Sequence, residues 1–208
     1  SPNATGTLSL GTTGNLIGPP PPPPATNGLV PISITGLTDG AAAVIVTTAE
    51  RARGRKTRPV YVMGFGQGHP SWDLPQRPVW TTSGAAVSGP AAFRMAGVSV
   101  EDVDFAELYD CFTMEVILQL EGYGWCGVGE GGPFVMDGRI ALGGELPVNT
   151  HGGLLSQGHV VGLNHVIELT RQLRREAGKA QVRDAELGLV TGYGDMGDGS
   201  LAILRRAA

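Results

Sequence analysis

The chain has 208 residues, 41% of them hydrophobic and 16% charged, which is enough apolar material for the core of one ordinary domain. A formal net charge of -4 and a pI near 5.5 exclude a dedicated nucleic-acid binder, which carries a basic stripe. The arginines within 51–58 and 171–175 have acids close by and read as solvated faces. Two cysteines, Cys111 and Cys126, are too few for a disulfide framework and lack zinc-ligand partners, so a reducing, cytoplasmic setting without a metal site is expected. No apolar run reaches the ~20 residues of a membrane span, and no secretory signal pattern opens the chain.

Residues 1–37 read as a Pro/Gly-rich, disordered leader that includes the proline run Pro19–Pro24, which can form neither a helix nor a central strand. Globular texture fills 38–208. Ala41–Thr47 is expected as a short buried strand, Ala49–Gly54 as a charged helical piece, and Pro59–Gly66 as a strand rich in β-branched and aromatic residues. A proline-rich loop over 69–79 leads to a helix over Thr82–Ala96 that Gly97 stops. Ser99–Asp102 offers a capping box, Val103–Leu108 alternates as a strand would, and Phe112–Glu121 is a helix ending at Gly122. Gly122–Pro147 is a long glycine-rich excursion. Val160–Glu176 is the strongest helix, with Leu163, Val166, Ile167, Thr170 and Leu173 as its apolar face and Gly178 as its stop. Ala185–Val190 and Ser200–Leu204 are closing strands around a Gly-rich turn. Strands alternating with helices predict an α/β layered domain.

Three clusters fall at strand ends or helix starts, where α/β folds place ligands. They are Ala106–Thr113 (AELYDCFT), Asn149–His159 (NTHGGLLSQGH) and Val190–Ser200 (VTGYGDMGDGS). Gly64-Phe65-Gly66-Gln67-Gly68 follows a strand, but no helix is expected after it and Pro70 intervenes, so it is a poor dinucleotide fingerprint. His165 reads as a structural mid-helix residue, and Cys111 as a buried, inert thiol.

In this order the three clusters resemble the C-terminal domain of thiolases, nearest to the lipid-transfer-protein and sterol-carrier-protein branch. Tyr109-Asp110-Cys111-Phe112 stands at the N-E-A-F motif of that family. Asn149, Gly152, Gly153, Gly158 and His159 match its N-x-x-G-G…G-H segment, and Thr191–Asp195 loosely matches its C-x-G-G turn. The strings TDGAAAV at 38–44 and VSGPAAF at 87–93 are similar to the same branch.

The resemblance implies a layered α-β-α fold of which this is the C-terminal half. It also implies a coenzyme A thioester as substrate with no permanently bound cofactor, a homodimer, and a small OB-fold, zinc-ribbon partner subunit. Departures matter as well: Tyr109 replaces the family's asparagine, and no cysteine lies between Gly127 and Ala208 to act as the late acid/base thiol.

That combination is similar to steroid side-chain aldolases, which cleave a β-hydroxyacyl-CoA by retro-aldol chemistry. Such chemistry needs a group to take the hydroxyl proton and a donor at the developing enolate oxygen. Tyr109 and His159 are the expected catalytic pair, with Asp110 or His151 orienting them. Asn149, His151, Gly152, Gly153, Gly192, Tyr193 and Gly194 are the expected substrate contacts. The alternatives are one half of a thiolase-type acyltransferase, or a non-catalytic module that binds acyl-CoA.

Overall fold

The computed structural model describes residues 39–70, 76–193 and 199–207, with Tyr193 described by its backbone alone. The 1–37 leader and Gly194 lie outside the described residues. Ala41–Thr47 forms no strand. Its β-branched residues find no ladder to join and stand in the open, Ile45 at 96% and Val46 at 86% exposure. Thr48 then accepts a hydrogen bond from Arg51 N and caps a one-turn helix, α1 (Ala49–Ala52).

Strand β1 (Val60–Gly68) carries glycine at every second residue on its buried side. Helix α2 (Ala85–Ala96) lies on that side. A Cβ at Gly64, Gly66 or Gly68 would run into the α2 backbone at Ala92, Ser88 or Gly84. The Gly-x-Gly-x-Gly pattern therefore lets helix and strand backbones touch. Gly97 stops α2 in the left-handed conformation, at φ 68°.

Ser99 and Asp102 form the expected capping box, and a 3-10 turn (Val100–Asp102) leads into β2 (Phe105–Glu107). Helix α3 (Thr113–Tyr123) runs through Gly122 and ends at Gly124 (φ 96°). Gly122 is no stop: it is the contact point with α2, where a Cβ would meet Ala85 at 2.7 Å.

Short helices α4 (Gly131–Phe134) and α5 (Gly153–Ser156) precede α6 (Leu163–Arg174). That helix starts three residues later than its periodicity suggests, because Gly162 enters it in the left-handed region. It ends at Arg175 (φ 64°) rather than at Gly178. Strands β3 (Leu187–Tyr193) and β4 (Gly199–Arg206) close the chain.

The sheet order is β1-β4-β3-β2, antiparallel except for the parallel β2–β3 pair. Side chains alternate across it. Ala106, Leu189, Leu201 and Ile203 meet α2 and α3 in an apolar core with Ala85, Ala92 and Leu120. On the opposite face Phe105, Val190 and Leu204 meet Leu169 and Leu173 of α6.

The buried face of α6 differs from the expected one. Asn164, His165, Glu168, Leu169, Gln172 and Leu173 point inward, while Leu163, Val166, Ile167 and Thr170 are half-buried. Apolar spacing alone misleads here, because polar side chains can be buried wherever partners await them.

Candidate active site

Strand β2 ends at Glu107, and the chain continues through Leu108, Tyr109 and Asp110, all buried. Each is fixed by a different neighbour. The Asn149 side chain acts as a substitute peptide: its Oδ1 accepts from Leu108 N at 2.7 Å, and its Nδ2 donates to Leu108 O at 2.9 Å. Tyr109 N donates to Thr191 Oγ1 of β3 at 2.8 Å. Gln119 of α3 donates to Tyr109 O at 2.8 Å and accepts from Thr191 Oγ1. The backbone of Tyr109 is thus held between two secondary-structure elements before its side chain does anything.

The Tyr109 hydroxyl lies 2.7 Å from His159 Nε2, and the two rings meet edge to face with centroids 5.8 Å apart. Residues fifty positions apart in the chain converge as the motif comparison requires. His159 sits in the turn before α6 rather than on the helix. Asn164 Nδ2 anchors that turn by donating to Gly158 O at 3.1 Å. Gly162, at φ 77°, lets the chain pass the Tyr109 ring, since a Cβ there would sit 2.9 Å from Cε2.

Beneath this pair lies a buried polar array. His151 Nδ1 is 2.9 Å from Glu107 Oε2, and His165 Nδ1 is 3.6 Å from the same oxygen. His165 Nε2 is 3.3 Å from Asp110 Oδ1. Glu107 Oε1 accepts from Thr150 N and Oγ1, and Asp110 accepts from Leu154 N and Leu155 N. Burial opposes the charge on Glu107, yet His151 and then His165 outweigh it and hold the carboxyl below its ordinary value of 4.5. Burial likewise opposes charge on His165, but Asp110 and then Glu107 raise it above the ordinary 6.5.

Glu107, His151 and His165 are the three side chains among the described residues whose donor atoms lie close enough together, within 4.8 Å, to hold a metal ion. His151 Nδ1 and Glu107 Oε2 lie at ion-pair distance, 2.9 Å, but these two atoms and both His165 ring nitrogens are buried and make no hydrogen bond of proper geometry among the described residues.

Of the expected substrate contacts, Asn149 and His151 spend their side chains on Leu108 and Glu107. Gly153 (φ 68°) owes its identity to Asp110, whose carboxylate occupies the space a Cβ would need. Gly152 is exposed. Gly192 lines a groove of about 370 Å³ together with Phe65, Val161, Gly162, Val166 and Thr191. Two of these neighbour Tyr109, Gly162 against its ring and Thr191 through its backbone N–H, while neither Tyr109 nor His159 lines the groove itself. Burial, with Glu115 second, pushes the Cys111 thiol up to about 12, and Cys111 is unsuited to act as a nucleophile.

The sequence offers a sign of the array that its apolar periodicity hides. Asn164, Glu168 and Gln172 repeat every four residues, which is a polar stripe on one helical face.

A mixed sheet with helices on both faces, and with the tyrosine–histidine pair at the end of its parallel strand, defines a layered α/β domain of the thiolase type. The family model described as "Thiolase C-terminal domain-like" matches residues 66–206, and the chain belongs to that family. It is 39% identical over 165 residues to an acetyl-CoA acetyltransferase of Methanothermobacter thermautotrophicus, covering 77% of this chain and 43% of that protein. It is 41% identical over 150 residues to the 17-hydroxy-3-oxo-4-pregnene-20-carboxyl-CoA lyase of Mycobacterium tuberculosis, covering 66% of this chain and 37% of that protein. A solved structure titled "Ltp2-ChsH2(DUF35) aldolase" superposes with a TM-score of 0.70 at 33% identity, covering 76% of this chain and 42% of that one. The chain thus spans less than half the length of these relatives. Among the described residues, no helix is long and apolar enough to cross a membrane.

Proposed function

We propose that the chain forms the C-terminal half of a carbon–carbon lyase acting on a β-hydroxyacyl-CoA, of steroid or other lipid origin, by retro-aldol cleavage. The observation that carries this reading is the 2.7 Å contact between the Tyr109 hydroxyl and His159 Nε2. The substrate hydroxyl gives its proton to the Tyr109 oxygen as the phenol proton passes to His159 Nε2. The Cα–Cβ bond then breaks, its electron pair forming the thioester enolate while the β-carbon becomes a ketone. The protonated imidazole stabilises the enolate oxygen and returns the proton, giving the shortened acyl-CoA. Gly152 and Gly192 offer backbone for close approach of the thioester arm, and Tyr193 and Gly194 follow Gly192 in the sequence.

Coenzyme A enters as part of the substrate, and no resident cofactor is needed. We further propose a cytoplasmic homodimer completed by a second subunit, as the aldolase neighbour's title pairs two components.

A second reading, a thiolase-type acyltransferase half, draws on the acetyltransferase relative. The sequence after Cys126 holds no thiol to serve as its late acid/base group. One incubation separates the two: the complete protein with its partner is given a 17-hydroxy steroid acyl-CoA, and separately acetoacetyl-CoA with free CoA. Ketone release that is lost in Tyr109→Phe supports the lyase, and CoA-dependent thiolysis overturns it.

A further inference from the structure

We propose that Glu107, His151 and His165 form a buried binding site for a divalent transition-metal ion of the zinc type, which pins the end of β2, the turn before α5 and the first turn of α6 to one centre. The site does not depend on the lyase reading.

The three residues come from distant parts of the chain, yet one donor atom of each lies within 4.8 Å of the other two. Glu107 Oε2 is the hub, 2.9 Å from His151 Nδ1 and 3.6 Å from His165 Nδ1. Zinc holds imidazole nitrogen and carboxylate oxygen at about 2.0–2.2 Å, so two of its tetrahedral ligands stand about 3.3 Å apart. The two observed separations bracket that spacing. Glu107 and His165 have zero exposure, and the His151 side chain is 4% exposed. Glu107 Oε2, His151 Nδ1 and His165 Nδ1 have no hydrogen-bond partner among the described residues. Buried polar atoms are seldom left so, and an ion is one of the few things that accounts for them. Here three such atoms converge on one point.

The remaining atoms of these side chains suit the same role. Glu107 spends its second oxygen on Thr150 N and Oγ1, which orients the carboxylate. An ion on His165 Nδ1 leaves the ring proton on Nε2, the atom that faces Asp110 Oδ1 at 3.3 Å. A carboxylate behind a ligating histidine is the usual means of holding its ring, and Asp110 is itself anchored by Leu154 N. His151 Nε2 stands 3.5 Å from the Asn164 amide nitrogen, too long a contact to fix that ring in the opposite tautomer. A dication also offsets the two buried carboxylates, Glu107 and Asp110. Two imidazoles and one carboxylate select a zinc-like ion over calcium or magnesium, which take oxygen ligands. Water fills the fourth position. None of the three residues lines the groove beside Gly192, so the ion is structural. The imidazole–carboxylate pairs described above are those of the metal-free chain. Counting cysteines misses such a site, because its donors are nitrogen and oxygen.

The test is to express the complete protein with added Zn2+ or, separately, Co2+, and to purify it without a second subunit. Metal is counted after a brief chelator wash that strips surface ions. About one ion per chain is expected to remain, with the visible absorption of tetrahedral cobalt in the second case, and prolonged chelation should lower the urea midpoint. His165→Gln and Glu107→Gln are each expected to retain less than about a tenth of that ion, since even residues behind the ligands alter affinity 10–100-fold. His69→Gln, at an exposed histidine, should retain all of it. A wild-type protein that keeps no ion overturns the proposal, as does unchanged metal content in both site variants. Should neither variant fold, 15N NMR of the histidine-labelled wild type decides. Zinc is expected to shift His151 Nδ1 and His165 Nδ1, and signals that stay unmoved overturn the site.

Discussion

On one face of the sheet Ala85, Ala92, Leu120, Leu189, Leu201 and Ile203 close a core in which side chains meet only as surfaces. On the other, under α6, Glu107, His151, His165, Glu168 and Gln172 are equally hidden but joined by ion pairs and hydrogen bonds, with Thr150 between them. The first face draws its stability from apolar area and close packing. The second contributes little net stability when complete and costs much when one member is lost. The pair of groups suited to proton transfer stands over the second face. The proposed chemistry would thus be supported by the part of the fold least tolerant of a missing partner.

Breaking the polar face should have the largest effect. Glu107→Leu leaves two buried imidazoles without their shared acceptor and is expected to destabilise the fold by about 3–5 kcal/mol, read as a urea midpoint. A loss under ~1 kcal/mol would mean that the array carries no charge. On the apolar face Leu120→Ala should cost about 3 kcal/mol. Unlike the polar-face change, that loss should be independent of pH.

pH sharpens the contrast further. The folded pKa of His165 is raised, so its contribution is complete below the ordinary 6.5 and is lost as pH climbs through the folded value. The pKa of Glu107 is lowered, so its contribution is complete above the ordinary 4.5 and is lost as pH falls through the folded value. Stability should therefore be highest between these two ordinary values and decline on both sides. A flat profile over pH 4–8 would contradict the assignment. The smallest effect belongs to the outer surface: Val128→Ser, at a residue 70% exposed, should stay within about 0.5 kcal/mol.

The same contrast explains what could be read from the letters. β1, α2 with its Gly97 stop, and the closing strands follow from apolar patterning and glycine chemistry, which are local signals. The Tyr109–His159 meeting was legible only through motif resemblance, since nothing local relates positions fifty residues apart. The inward face of α6 was misread because apolar spacing assumes a dry neighbour, whereas the neighbour is Glu107. The internal partners of Asn149 and His151, both expected as substrate contacts, were hidden for the same reason: only the fold shows that their side chains reach Leu108 and Glu107. The exposed 41–47 run failed from the opposite cause: its β-branched residues favour a strand but do not supply the strand next to it.

The most direct check is a crystal structure of the complete protein with an unreactive β-hydroxyacyl-CoA analogue in the groove beside Gly192. The account predicts the β-oxygen about 3 Å from the Tyr109 hydroxyl, with His159 still against the phenol and near the thioester oxygen. A bound thioester whose β-oxygen meets neither group, or whose acyl arm avoids the groove, would contradict it.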